Sequence, residues 1–157
     1  ARHNIAKARK NGIRVITGMQ VMDYVDLRKK HVDWDFPPEF YKILMKIITR
    51  AQTKGNGRIL VAYTPENEVC AAAFFLRSGK RIIYLNAFST KEGKKNNAMY
   101  AIIDEVIQKY EKSGFLIDFE GSSLPGVAHF CKSFGSSSEI YYELRYNRLP
   151  WPVRLLK

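Results

Sequence analysis

The sequence contains few residues of the kinds that build metal centres and disulfide frameworks. Its 157 residues include three histidines and two cysteines, Cys70 and Cys131. Neither cysteine stands at zinc-ligand spacing from the other or from a histidine, so the sequence predicts no metal site. A disulfide between the two thiols is the alternative, although isolated cysteines in cytosolic proteins are usually free.

Long apolar stretches are also missing. No run approaches the roughly 18 residues that a membrane-spanning helix needs, and the first residues, Ala1–Asn4, are polar and basic. We therefore expect no secretory signal and take the cytoplasm as the default location. The chain begins without methionine and within a helix-like pattern, which favours the interpretation that it is part of a longer protein.

Acidic residues are scarce relative to basic ones. The chain has 15 Asp and Glu against 26 Lys and Arg, which gives a formal net charge of +11. The basic residues gather in two clusters: Arg2, Lys7, Arg9, Lys10 and Arg14 near the start, and Lys91, Lys94 and Lys95 in one loop. Such a chain can bind a polyanion such as nucleic acid, phospholipid or a phosphorylated cofactor. A solvated surface covered by lysines is the alternative.

Hydrophobic periodicity and turn residues predict one domain, residues 1–157, in which helices and strands alternate. Residues 5–10 end a helix, residues 13–16 form a strand, and two helices follow. Three strands, at 58–63, 69–76 and 81–88, are joined by short turns and are therefore antiparallel. The remaining elements are a helix at 98–110, a strand at 115–119, a short helix at 127–134 and a strand at 139–146.

The strand at 115–119 is almost entirely apolar, which predicts burial on both of its faces in the middle of a sheet. Because a helix connects it to the strand at 81–88, the two strands are expected to run parallel. The fold class is therefore α+β, with a mixed, mainly antiparallel sheet flanked by helices.

The turn after Phe88 is the clearest candidate for a ligand site. The N-terminus of the following helix offers unpaired N–H groups and a partial positive charge, which attract phosphate. Gly93 allows close backbone approach, and lysines add charge. The predicted phosphate-binding residues are Ser89, Gly93, Lys94, Lys95, Asn96 and Asn97. Glu92 argues against this prediction, and an ordinary lysine-rich surface turn is the alternative.

Three antiparallel strands, a basic turn, a helix and a parallel strand follow one another in the order that is typical of GNAT-superfamily acyltransferases, which the chain resembles. The resemblance implies that acyl-coenzyme A, with its pyrophosphate at the basic turn, is the co-substrate. It also implies that a backbone N–H within Asn86, Ala87 and Phe88 polarises the acyl carbonyl. The turn has one glycine, Gly93, where the family usually has several.

Two segments are similar to a narrower group. Asn4–Val15, and Asp118–Ser122 followed by Phe130–Gly135, resemble the second GNAT half of Fem-type bacterial acyltransferases, many of them uncharacterised. This resemblance implies that the chain is the C-terminal half of a two-domain protein. Fem-type enzymes use aminoacyl-tRNA as donor and a peptidoglycan precursor as acceptor, so tRNA becomes a candidate partner for the basic surface.

Three side chains are candidates for proton transfer during the reaction. Glu120 follows the apolar strand and could deprotonate the amine. Cys131, on the short helix, could protonate the leaving thiolate, and Tyr142 or its neighbour Tyr141 could do the same. The alternatives are a carboxylate that caps a loop, a packing cysteine and a core tyrosine. Tyr84 is assigned to sheet packing.

The leading hypothesis is an N-acyltransferase that moves an acyl group from acyl-coenzyme A to a small-molecule or peptide amine. The first alternative is Fem-like aminoacyl transfer from aminoacyl-tRNA. The second is a non-catalytic GNAT-like binding module. The low glycine content of the turn favours both alternatives, whereas the order of elements favours the first hypothesis. An edge strand could also pair two copies into a homodimer.

Overall fold

The computed structural model describes residues 1–32, 36–121, 124–140 and 142. The helices are α1 (Arg2–Lys10), α2 (Val21–Lys30), α3 (Pro38–Thr53), α4 (Lys91–Lys95), α5 (Ala98–Tyr110) and α6 (Pro125–Ser133). The strands are β1 (Arg14–Thr17), β2 (Gly57–Tyr63), β3 (Val69–Ser78), β4 (Arg81–Ser89) and β5 (Leu116–Asp118).

The strands form one sheet in the order β1-β2-β3-β4-β5. β1 to β4 pair antiparallel, whereas β5 pairs parallel to β4. The connection from β4 to β5 runs through α5, because parallel neighbours need a crossover. The predicted α+β class and the mixed, mainly antiparallel sheet are therefore confirmed.

Helices cover both faces of the sheet, so the core has two layers. One face packs against α1 and α5 through apolar residues that include Ala8, Leu60, Ile82, Ile102 and Ile103. The other face packs against α2 and α3 through residues that include Tyr24, Leu44, Ile48, Ile59 and Phe74. The central strand β3 contributes to both layers, since successive side chains of a strand point to opposite faces.

A β-bulge interrupts the pairing of β3 with β4. Phe74 pairs with Asn86 and Phe75 pairs with Tyr84, so Leu85 is an extra residue in β4. A bulge bends its strand and increases the local twist. On the other side of β4, β5 pairs only with Arg81, Ile82 and Ile83. The two strands therefore separate where the bulge begins.

The strand at 115–119 is shorter and more exposed than its sequence predicts. β5 has three residues, and Leu116 is 51 % exposed. The prediction of burial on both faces is wrong for the described part of the chain, where β5 is the last strand of the sheet. The apolar residues on either side of β5 contact aromatic side chains of the helical regions instead. Phe115 packs against Tyr110, and Phe119 packs against Phe134.

The remaining differences concern the ends of elements. The turn expected between Phe88 and the helix at 98–110 contains the short helix α4, and Asn97 has a left-handed conformation between α4 and α5 (φ 56°). Of the strand predicted at 139–146, Glu139, Ile140 and Tyr142 have no regular structure. Its other residues lie outside the described part of the chain.

Gly93 in α4 is buried against β3. A Cβ atom at this position would overlap the carbonyl oxygen of Cys70, which itself accepts a hydrogen bond from the Thr90 N–H at 2.9 Å. Because glycine has no side chain, α4 can pack directly on the sheet at Gly93. The backbone of β3 cannot move aside without disturbing the ladder to β4.

We expect Gly93→Ala to lower the free energy of unfolding by about 3 kcal/mol, because overpacking against fixed backbone forces a shift. Gly126→Ala in α6 is the matched control, since a Cβ there meets nothing within 4 Å. Urea denaturation measures both. Equal stability of the two variants would contradict the assignment of Gly93 to packing.

Candidate active site

Within the described residues, the separation of β4 from β5 leaves backbone groups of β4 without a strand partner. Thr90, just after β4, lies opposite Cys70 of β3 and donates a hydrogen bond to it. Along an antiparallel pair of strands, residue pairs that are hydrogen bonded alternate with pairs that are not. Ala87 and Ser89 are therefore non-bonded positions toward β3, and their N–H and C=O groups face the side of β5. β5 does not extend that far. An extended ligand can add to this free edge as a strand would.

The chain passes from β4 to α5 through the short helix α4. Asn97 precedes the helix, and its carbonyl accepts a hydrogen bond from the Tyr100 N–H at 3.0 Å. The first N–H groups of any α-helix lack partners within the helix and carry partial positive charge. The start of α5 is therefore a second set of backbone donors, separate in the chain from the free edge of β4.

Several residues predicted to bind phosphate are already engaged within the protein. The N–H of Gly93 donates to Thr90 Oγ1 at 3.0 Å. The Asn96 amide donates to Glu92 Oε1 at 2.6 Å and accepts from Asn11 Nδ2 at 2.7 Å. Lys95 Nζ lies 4.0 Å from the same Glu92 carboxylate. These contacts fix the turn and tie it to the end of α1.

The residues predicted on β4 face different ways. The Phe88 side chain is buried between Tyr24 and His31, so only its backbone could reach a ligand. The Asn86 side chain accepts two hydrogen bonds from α2, from Tyr24 Oη at 2.9 Å and from Arg28 Nε at 3.2 Å. Among the three positions expected to polarise a carbonyl, Ala87 is the one whose N–H faces the free edge.

Tyr84 spans the opening between β4 and β5, although the sequence assigned it to packing alone. Its ring lies 5.6 Å from that of Phe75 and 6.1 Å from that of Phe119, which follows β5. Burial raises the pKa of Tyr84, and Cys131 contributes to the same shift, whereas Arg28 opposes it. The phenol is therefore protonated at neutral pH. Its position depends on the bulge, which no local sequence signal reveals.

Glu120 and Cys131 line the same cleft, of about 760 Å³, which is bordered by β5, α6 and residues 135–140. Glu120 is exposed and has a left-handed backbone (φ 62°), and its N–H donates to Asp118 Oδ1 at 2.9 Å. Cys131 is 8 % exposed, and burial raises the pKa of its thiol. Both cysteines are free, so the disulfide alternative is excluded.

The third candidate, Tyr142, is 87 % exposed. The structure gives it no contact with Glu120 or Cys131, and Tyr141 lies outside the described residues. Within the described ranges, no group of three or more His, Cys, Asp or Glu side chains is placed to hold a metal ion. None of the helices in that part of the chain is long and apolar enough to cross a membrane.

A family model described as an acetyltransferase (GNAT) domain matches residues 2–130. The chain therefore belongs to the GNAT acetyltransferase family. No curated protein sequence matches it significantly.

Solved structures of low sequence identity share this fold. An aminoglycoside antibiotic 6′-N-acetyltransferase from Acinetobacter baumannii is 10 % identical, with a TM-score of 0.61 over 88 % of this chain and 99 % of that one. A predicted acetyltransferase with acetyl-CoA from Clostridium acetobutylicum is 14 % identical, with a TM-score of 0.60 over 85 % of this chain and 96 % of that one. FemX is 11 % identical, with a TM-score of 0.68 over 85 % of this chain, which spans 52 % of FemX.

Proposed function

We propose that this chain is an N-acetyltransferase that uses acetyl-coenzyme A and transfers its acetyl group to an amine. The observation that carries the proposal is the free edge of β4 at Ala87 and Ser89, which α4 connects to the N-terminus of α5. The amide groups of the donor's pantetheine arm would pair with this edge, and its phosphates would meet the helix N-terminus. The Clostridium acetobutylicum neighbour, determined with acetyl-CoA, supports the choice of donor.

In this proposal the N–H of Ala87 donates a hydrogen bond to the oxygen of the acyl carbonyl. Negative charge develops on that oxygen when the amine attacks the carbonyl carbon, and a fixed backbone donor stabilises it. The attacking nitrogen loses a proton, which the exposed carboxylate of Glu120 accepts directly or through water. The carbon–sulfur bond then breaks, and the sulfur leaves as a thiolate.

The Tyr84 hydroxyl is the group that we assign to the leaving sulfur. Its raised pKa keeps it protonated, so it can donate a hydrogen bond. Full proton transfer is unfavourable, since an ordinary thiol, with a pKa of about 8.5, is the stronger acid. Tyr84 therefore stabilises the thiolate without being consumed, and solvent can supply the proton afterwards.

Acetyl-coenzyme A is expected to raise the melting temperature of the protein, because a ligand that binds only the native state stabilises it. Ala87→Pro removes the N–H that faces the free edge and leaves the hydrogen bonds to β3 intact. We expect it to lower kcat by about 100-fold, the usual cost of losing one such donor. Release of free coenzyme A measures the rate.

The matched control is Ala87→Gly, which keeps the N–H and should retain most of the activity. The circular dichroism of both variants checks the fold. No change of melting temperature at millimolar acetyl-coenzyme A would sink the proposal and favour a non-catalytic module.

Replacing Tyr84 and Cys131 separately tests which of them assists the leaving sulfur. Tyr84→Phe should lower kcat by about 10- to 100-fold with little change in the KM for acetyl-coenzyme A, because the lost hydrogen bond forms only as the thiolate leaves. Cys131→Ala should keep kcat within about threefold. The reverse pattern would return the role to Cys131.

Fem-like aminoacyl transfer is a second candidate, favoured by the overlap with about half of FemX and by the exposed basic side of α1. In that case the chain is one half of a two-domain protein and α1 contacts tRNA. Binding would weaken steeply with salt, as counterions are released from phosphates. Bacteria are then the expected source.

Filter binding of bulk tRNA at increasing salt measures this directly. Under the Fem-like candidate, the double variant Lys7→Glu and Lys10→Glu should weaken binding by about 10-fold or more and flatten the salt dependence. The double variant Lys46→Glu and Arg50→Glu on the exposed side of α3 changes the net charge equally and is the control. Equal effects of these changes would indicate non-specific attraction and count against the candidate.

A further inference from the structure

Among the residues that the structure describes, Arg28 on α2 is a buried charge without a counter-ion. Only 9 % of it is exposed, and the ion pairs of the described residues involve other side chains. Its guanidinium donates one hydrogen bond, from Nε to the neutral amide oxygen of Asn86 at 3.2 Å. Nη1 is shielded from solvent and has no hydrogen-bond partner.

The described groups that contact Arg28 are aromatic or neutral. Its guanidinium carbon lies 5.5 Å from the centre of the Phe36 ring. Tyr24 donates to the same Asn86 oxygen that Arg28 uses, so that oxygen already serves two donors. Burial lowers the pKa of Arg28, while Tyr24, Tyr41 and Tyr84 oppose the shift. A guanidinium nevertheless stays charged in proteins.

An unpaired buried charge is costly, and an apolar side chain of similar size would avoid that cost at this position. Arg28 lies close to the proposed reacting centre. Asn86, which it contacts, immediately precedes Ala87 on β4. A small part of Arg28 is exposed to solvent, and an anion carried along β4 past Ala87 would approach Asn86 and the guanidinium that contacts it.

We propose that Arg28 binds a carboxylate group of one of the two substrates, an inference that rests on the proposed function. The strand rises by about 3.3 Å per residue, so Asn86 lies about 10 Å along β4 from Ser89 and the phosphate end. The anion is therefore carried beyond the reacting carbonyl. A planar guanidinium matches a carboxylate, which accepts two parallel hydrogen bonds.

This carboxylate has two chemical sources. It belongs either to a dicarboxylic acyl group such as succinyl, or to an acceptor that is an amino acid or a peptide with a free carboxylate. Both place a negative charge near the reacting centre while leaving the amine free to attack. Rates measured with different acyl donors, and separately with different acceptors, show which of the two substrates carries the carboxylate.

The test compares the wild type with Arg28→Met, and with Lys30→Gln as a charge-matched control on the exposed side of α2. Rates are measured with acetyl- and succinyl-coenzyme A as donors. The acceptors are L-amino acids, each paired with its own carboxamide. The wild type should prefer one carboxylate-bearing partner by about 10- to 100-fold in kcat/KM, the effect of hydrogen bonds to a charged group.

Arg28→Met should abolish that preference and keep the activity toward uncharged partners, with an unchanged or raised melting temperature. Lys30→Gln should keep the preference. A preference between the two donors assigns the carboxylate to the acyl group, and one between an amino acid and its carboxamide assigns it to the acceptor.

Asn86→Asp gives an independent readout that does not rely on turnover. It places a carboxylate 3.2 Å from Arg28 Nε, where the amide oxygen now lies. This internal anion should raise the melting temperature and also remove the carboxylate preference. An Asn86→Asp variant that is less stable, or that keeps the preference, would contradict the proposal.

Two failures remain distinguishable. If acetyl-coenzyme A neither stabilises the protein nor is consumed, the proposed function itself fails. If it is consumed but neither succinyl donors nor free carboxylates are preferred by the wild type, only the role of Arg28 is overturned.

Discussion

The hydrogen bonding of β4 is the constraint on which the rest of the site depends. Its first residues, Arg81 to Ile83, are paired on both sides, whereas the residues after the bulge at Leu85 pair, among the described strands, with β3 alone. A strand edge that remains free within a covered sheet demands polar partners. The chain continues from that edge through α4 to the N-terminus of α5, whose first N–H groups also lack partners within the helix.

The two sides of β4 make different contributions. Toward α5, the turn is held by Gly93 on Cys70 and by Asn96 between Glu92 and Asn11, so the helix start is fixed by contacts within the protein. Toward α2, Asn86 receives hydrogen bonds from Tyr24 and Arg28. The contacts of the turn and the hydrogen bond from Tyr24 hold the backbone between them, which a preorganised donor such as the Ala87 N–H requires.

Much of the fold follows from local patterns. Short turns made the strands from β2 to β4 antiparallel, and the long apolar stripe of α5 implied a crossover to a parallel strand. The prediction for the apolar run at 115–119 was wrong, because its composition cannot distinguish a strand buried on both faces from a short strand whose flanking residues pack against helices. In the structure its phenylalanines contact Tyr110, Phe134 and Tyr84 instead.

The sequence by itself determined the order of the elements, the strand-turn-helix at Ser89 to Asn97 and hence the region of the site. The order of elements and this turn depend on residues that are close in sequence, so hydrophobic periodicity and turn residues predict them. Only the tertiary structure decided that Gly93 serves packing, that Tyr84 spans the opening and that Arg28 meets Asn86, 58 residues away. Such contacts arise when helices and strands pack together, and a bulge of one residue is enough to redirect them.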